Sequence, residues 1–224
     1  MRHVVQIAGI HDLAEAELLL ECGADYLGFP LGLPDDRADL TEEEARSVIQ
    51  ALGHRAHSVL ITYLDDADDI ARLARFLGVR WVQLHGPIEV GELERLHRLT
   101  PSLQVIKSLI VRGPDASPML MEVERLAALV DAFITDTYDP ETGASGATGK
   151  VHDWSVSRSV VAASPRPVIL AGGLNPDNVA RAIRAVAPAG VDCHTGVEGP
   201  DGRKHAGLVR EFVDQARRAF HGLH

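Results

Sequence analysis

Two short stretches in the last third of the chain carry the residue types that hold a phosphate group, Gly172-Gly173 and Thr195-Gly196. Glycines leave backbone N–H groups free to approach an anion, and the threonine hydroxyl adds a further donor. Other side chains able to move a proton or bind an anion also follow short apolar runs: His11, Arg37, His85, Lys107, Asp136 and His194. The two cysteines, Cys22 and Cys193, are too few to staple a chain of 224 residues and are not spaced as a metal-binding pair.

The elements that must position these groups follow one repeating pattern, a short apolar run, a turn and a longer amphipathic stretch. Strands are predicted at VVQIA (from Val4), DYLGF (from Asp25), HSVLITY (from His57), WVQLH (from Trp81), LQVIKSL (from Leu103), DAFITD (from Asp131), PVILAGG (from Pro167) and GVDCHT (from Gly190). They are short and rich in Val, Ile and Leu, as strands covered on both faces are. Thr41 and Glu44 have capping-box spacing, and Asn175-Pro176 reads as an N-cap followed by proline in the first turn. Leu208, Phe212, Ala216 and Phe220 repeat at the interval of one helical face.

Eight such alternations with no break in composition predict an α/β protein, an eight-stranded parallel (β/α)8 barrel in one domain spanning residues 1–224. An open doubly wound sheet would need fewer strands and a glycine fingerprint after the first, where only Gly9 stands. In a barrel the active site lies at the C-terminal strand ends, and loops seven and eight, which hold the two glycine stretches, are the usual phosphate site.

Composition narrows the function. A hydrophobic fraction of 46% and a charged fraction of 24% exclude a disordered chain. A net charge of −10 disfavours nucleic acid as a partner. No uncharged run approaches a membrane span, and the N-terminus lacks an apolar signal core, so the expectation is a soluble, cytoplasmic protein with no membrane partner.

The segments VQLHG (Val82–Gly86), VIKSL (Val105–Leu109), ITDT (Ile134–Thr137), GATGKVHDW (Gly146–Trp154), VILAGGLNPDNV (Val168–Val179) and TGVEG (Thr195–Gly199) resemble phosphoribosylanthranilate isomerase of tryptophan biosynthesis. The resemblance runs in order through nearly the whole chain. It implies an Amadori rearrangement of an aminoaldose phosphate to an aminoketose phosphate, with no cofactor and no metal. The partner it implies is a phosphorylated small molecule, and monomer and homodimer both stay open. Two proton-transfer groups are needed, an acid that opens the furanose ring and a base that removes the C2 proton. By resemblance the acid is Asp136, and Arg37 meets the anthranilate carboxylate. His85 and His194 are expected to bind substrate, and Gly172, Gly173, Thr195 and Gly196 its phosphate.

One part of the pattern is missing. The family has a basic cysteine in a K-x-C-G-I motif at the end of the first strand, and this chain reads Gln6-Ile7-Ala8-Gly9-Ile10. Ala8 cannot accept a proton, and neither Cys22 on the first helix nor an outward-pointing Cys193 compensates. His11 and His194 stand where the family has small hydroxyl residues, and an imidazole titrates near neutrality, so His11 is the expected substitute base. Two alternatives remain: an enzyme turned to another phosphorylated metabolite, including a metal-assisted form on His11, His194 and Asp136, and a non-catalytic sugar-phosphate binder. Tyr138 to Ala147 reads as a lid, and His152, His205, His221 and His224 as surface residues.

Overall fold

The computed structural model describes residues 2–33, 38–137 and 151–223. Eight parallel strands close into a barrel in sequence order, each followed by a helix. The strands are β1 (Val4–Ala8), β2 (Tyr26–Pro30), β3 (His57–Thr62), β4 (Trp81–Leu84), β5 (Gln104–Val111), β6 (Ala132–Thr137), β7 (Val168–Leu170) and β8 (Gly190–Cys193). The helices are α1 (Leu13–Glu21), α2 (Glu42–Leu52), α3 (Ala67–Leu77), α4 (Val90–Leu99), α5 (Ser117–Leu126), α6 (Trp154–Ala163), α7 (Val179–Val186) and α8 (Ala206–His221). Closure comes from β8 pairing with β1 in the register Gln6↔Asp192 and Ile7↔Cys193.

Strand alternation divides each strand between two cores. Val5 and Ile7 of β1 join the large core between strands and helices, with Leu27, Leu60, Val82, Phe133 and Val191. Val4 and Ala8 face the barrel interior, with Tyr26, Val59, Ile61, Trp81, Ile106, Ile134, Ile169 and Ala171. This interior is a packed plug, as barrels of eight strands require. It turns polar towards the C-terminal strand ends, where Gln6, Gln83, Asp136 and Asp192 are all buried. Gln6 Nε2 donates to Gln83 Oε1 across the barrel at 2.9 Å.

Helix starts are fixed by side chains that satisfy their free N–H groups. Asp12 accepts from Glu15 N, Asp66 from Asp68 N and Asp69 N, and Asp153 from Ser155 N. Thr41 and Glu44 form the expected reciprocal capping box. The start of α7 is a correction: the helix begins at Val179, after Asn178. Asn175 instead accepts from Asp177 N and Asn178 N in a turn, with Asn178 Oδ1 accepting from Asn175 N at 2.9 Å. Asn178 also donates to Gly173 O, so these two asparagines tie the glycine loop to the helix instead of capping it early.

Candidate active site

A pocket at the C-terminal face of the barrel is lined by Asp136, Gly172–Leu174 and Asp192–Gly196. The two glycine stretches thus meet, as expected from their places after β7 and β8. Gly172 and Gly173 have φ of 92° and 62°, values that side chains disfavour. A methyl group on Gly172 would overlap Thr137 Oγ1, and one on Gly196 would overlap the carbonyl oxygen of Leu174. Both loops are packed as closely as backbone alone permits.

Asp136 comes from the inner face of β6. Burial pushes its carboxyl up to about 7, against a 2.7 Å hydrogen bond from Thr137 N that favours the charged form. Asp192, from the inner face of β8, shares the pocket and is also pushed up to about 7. Burial is the main cause, the charge of Asp136 adds to it, and a hydrogen bond from Gln6 and the charge of Lys204 oppose it. Asp192 was not among the expected site residues. The signal was present, since an acidic residue at an inward position of a four-residue strand is costly unless used.

His194 lies at the rim. Its ring rests on Gly9, where a methyl group would overlap the imidazole, and Gly9 itself has φ of 76°. Burial holds the His194 pKa down to about 3, with the charges of Lys204 and His11 adding to the effect. The ring is therefore neutral at working pH, suited to hydrogen bonding and a weak base. His85 is buried at the end of β4, with Nδ1 3.1 Å from Ser108 Oγ and its ring against Tyr63.

His11 does not line the pocket. Its Nδ1 is 3.0 Å from Glu15 Oε2 and its Nε2 is 3.5 Å from Asp39 Oδ1, so both ring nitrogens face carboxylates. Glu15 is the centre of a cluster that joins the β1 and β8 loops. It accepts from His11 N, Lys204 N and Arg203 Nε, and Arg203 also pairs with Asp12. Burial raises the Glu15 carboxyl, but the hydrogen bonds from Lys204 and His11 outweigh it, leaving the pKa lowered. Lys204 Nζ in turn reaches Glu198 and the carbonyl oxygen of His194.

A model of the family described as N-(5'-phosphoribosyl)anthranilate isomerase matches residues 5–215. The chain belongs to the phosphoribosylanthranilate isomerase family. It is similar to N-(5'-phosphoribosyl)anthranilate isomerase 2 of Methanosarcina mazei, at 38% identity over 96% of this chain and 95% of the relative. The enzyme of Haloferax volcanii is likewise 38% identical, over 96% of this chain and 93% of its own. Among solved structures, the isomerase of Thermotoga maritima superposes with a TM-score of 0.81 at 29% identity, covering 96% of this chain and 98% of that one. A phosphoribosyl anthranilate isomerase in complex with reduced 1-(o-carboxyphenylamino)-1-deoxyribulose 5-phosphate gives 0.79 at 26% identity, covering 96% and 98%.

The structure also shows why the isomerase cysteine has not simply moved. Cys22 sits at the C-terminal end of α1, and Cys193 in the core outside the barrel, where its Sγ donates to Leu174 O. Burial raises both thiols, so neither offers a thiolate. Ala8 is buried on the inner face of β1, near Gly28, and carries no group able to take a proton. His152 corrects another expectation. It is no surface residue: Nδ1 is 2.9 Å from Thr137 Oγ1 and Nε2 is 2.6 Å from Ser157 Oγ, directly behind Gly172. Burial lowers its pKa to about 4. Among the described residues no three His, Cys, Asp or Glu side chains are placed to hold a metal, and His11, Asp136 and His194 are not brought together as one set. Arg37 and the expected lid at Tyr138 to Ala147 lie outside the described residues. No helix among the described residues is long and apolar enough to cross a membrane.

Proposed function

We propose that this chain isomerises N-(5'-phosphoribosyl)anthranilate by an Amadori rearrangement, a step of tryptophan biosynthesis, with Asp136 as the acid. The observation that carries this reading is the convergence of a proton-holding Asp136 and two glycine-bearing loops on one pocket, in a member of this family. A carboxyl that holds its proton near neutrality can give it to the furanose ring oxygen, while the nitrogen lone pair forms the imine as the C1–O bond breaks. Backbone N–H groups around Gly172, Gly173, Thr195 and Gly196 receive the phosphate. His194 and His85 hydrogen-bond the body of the substrate, and Arg37 takes the anthranilate carboxylate. The relative crystallised with a reduced carboxyphenylamino-deoxyribulose phosphate supports a ligand of this class. His11 serves as a rim residue held by Glu15 and Asp39.

The test is turnover of phosphoribosylanthranilate by the wild-type protein and by Asp136→Asn. The substitution keeps shape and removes the transferable proton, so kcat should fall about 10²–10⁴-fold with KM little changed. Near wild-type turnover by Asp136→Asn would remove the assigned acid. A folded wild-type protein without turnover would remove the function.

A further inference from the structure

With Ala8 inert, the reaction still needs a group to take the C2 proton, and the barrel interior offers one on the neighbouring strand. We propose that Asp192 is the general base of this enzyme, in place of the missing strand-one cysteine. The inference rests on the functional reading above.

Three observations support it. Asp192 pairs in register with Gln6, one inward position below Ala8, so it stands on the inner face of the strand that neighbours the vacant cysteine position. It lines the same pocket as Asp136 and both glycine-bearing loops. Its Oδ1 is buried with no hydrogen-bond partner among the described residues, an arrangement too costly to keep for packing alone.

The second change in the strand-one motif fits the first. A lysine at position 6, as in the family motif, would face Asp192 across the β1–β8 pairing and hold it as a weakly basic carboxylate. Gln6 is neutral and only donates a hydrogen bond, so burial and the nearby Asp136 raise the basicity of Asp192. Loss of the cysteine and loss of the lysine thus work together, one removing a base and the other making a base of the adjacent carboxylate.

The steps balance. Asp136 protonates the ring oxygen and the C1–O bond breaks, giving a C1=N iminium and a carboxylate at Asp136. Asp192 takes the proton from C2, the C2–H electron pair forms C1=C2, and the C=N π pair returns to nitrogen. The enaminol then gives its C2 hydroxyl proton to Asp136 and receives a proton at C1 from Asp192. Both carboxyls end as they began, and the product is the aminoketose.

The experiment measures kcat, KM and the isotope effect of C2-deuterated phosphoribosylanthranilate for wild type, Asp192→Asn, Ala8→Cys/Asp192→Asn and His11→Ala. Asp192→Asn should lower kcat about 10²–10⁴-fold, leave KM within a few-fold and raise the isotope effect. Ala8→Cys in that background should recover at least about tenfold of the loss, which a merely structural defect would not allow. Asp192→Asn with wild-type kcat overturns the proposal. So does a loss that Ala8→Cys does not recover, or an isotope-sensitive loss seen only in His11→Ala. A wild-type protein without turnover fails at the functional reading and removes the proposal with it, an outcome distinct from an active wild type with an indifferent Asp192.

Discussion

At Gly196 a single added methyl group would overlap the carbonyl oxygen of Leu174, a backbone atom that cannot rotate away. The loops after β7 and β8 therefore fit each other only while this position has no side chain. Gly196→Ala should cost about 1–3 kcal/mol as overpacking strain. The shift that relieves the strain moves N–H donors off the phosphate, and KM for phosphoribosylanthranilate should rise about tenfold or more. Inorganic phosphate should weaken in parallel as a competitive inhibitor. Unchanged KM and unchanged phosphate inhibition would show that the phosphate group sits elsewhere. Asp136→Asn, by contrast, is expected to lower kcat and leave KM nearly alone, so the two substitutions would separate holding the substrate from converting it.

At the scale of elements, the barrel is closed at its active face by Glu15 at the start of α1. Its two oxygens serve the backbone of His11 on one side of the seam and of Lys204 on the other, with Arg203 alongside. Glu15→Ala leaves the amides of His11 and Lys204 without their acceptor while Arg203 keeps Asp12, and should cost about 1–3 kcal/mol. Hydrogen exchange at the amides of His11 and Lys204 should quicken together, and exchange at one without the other would disprove the shared tie. The strands and most helix starts were legible because each depends on local signals, apolar runs and residues such as Thr41 and Glu44. The start of α7 was not, because Asn175 spends its side chain on a turn that presents Asn178 to Gly173 O, a choice made by the loop's tertiary role. Asp136 and the two glycine-bearing loops were legible as strand-end residues. The partnership of Asp192 with Gln6 needed the β1–β8 register, which links residues 186 positions apart in the sequence. His152 was misjudged for a similar reason, since its partner Thr137 lies across a long connection.

For the molecule as a whole, the buried titratable groups pull the pH dependence of stability in opposite directions. Asp136 and Asp192, raised to about 7, keep protons in the fold that the unfolded chain loses near its ordinary carboxylate pKa, so their contribution declines as pH rises from about 4 to 7. His152 and His194, lowered to about 4 and 3, refuse protons that the unfolded chain takes up below its ordinary value near 6.5, so theirs declines as pH falls. Near pH 5 to 5.5 all four differ between the two states, and two protons extra in the fold balance two extra in the unfolded chain. Wild-type stability should be nearly flat there. In Asp136→Asn/Asp192→Asn only the histidines remain, and stability should rise with pH by about 2.7 kcal/mol per pH unit, two protons at about 1.36 kcal/mol each. Urea unfolding at pH 5.0 and 5.5 reads the slope directly. A flat double variant would mean that the two histidines are protonated in the fold at this pH, and a wild type as steep as the double variant would mean that Asp136 and Asp192 are ionised there, leaving Asp136 no proton to give.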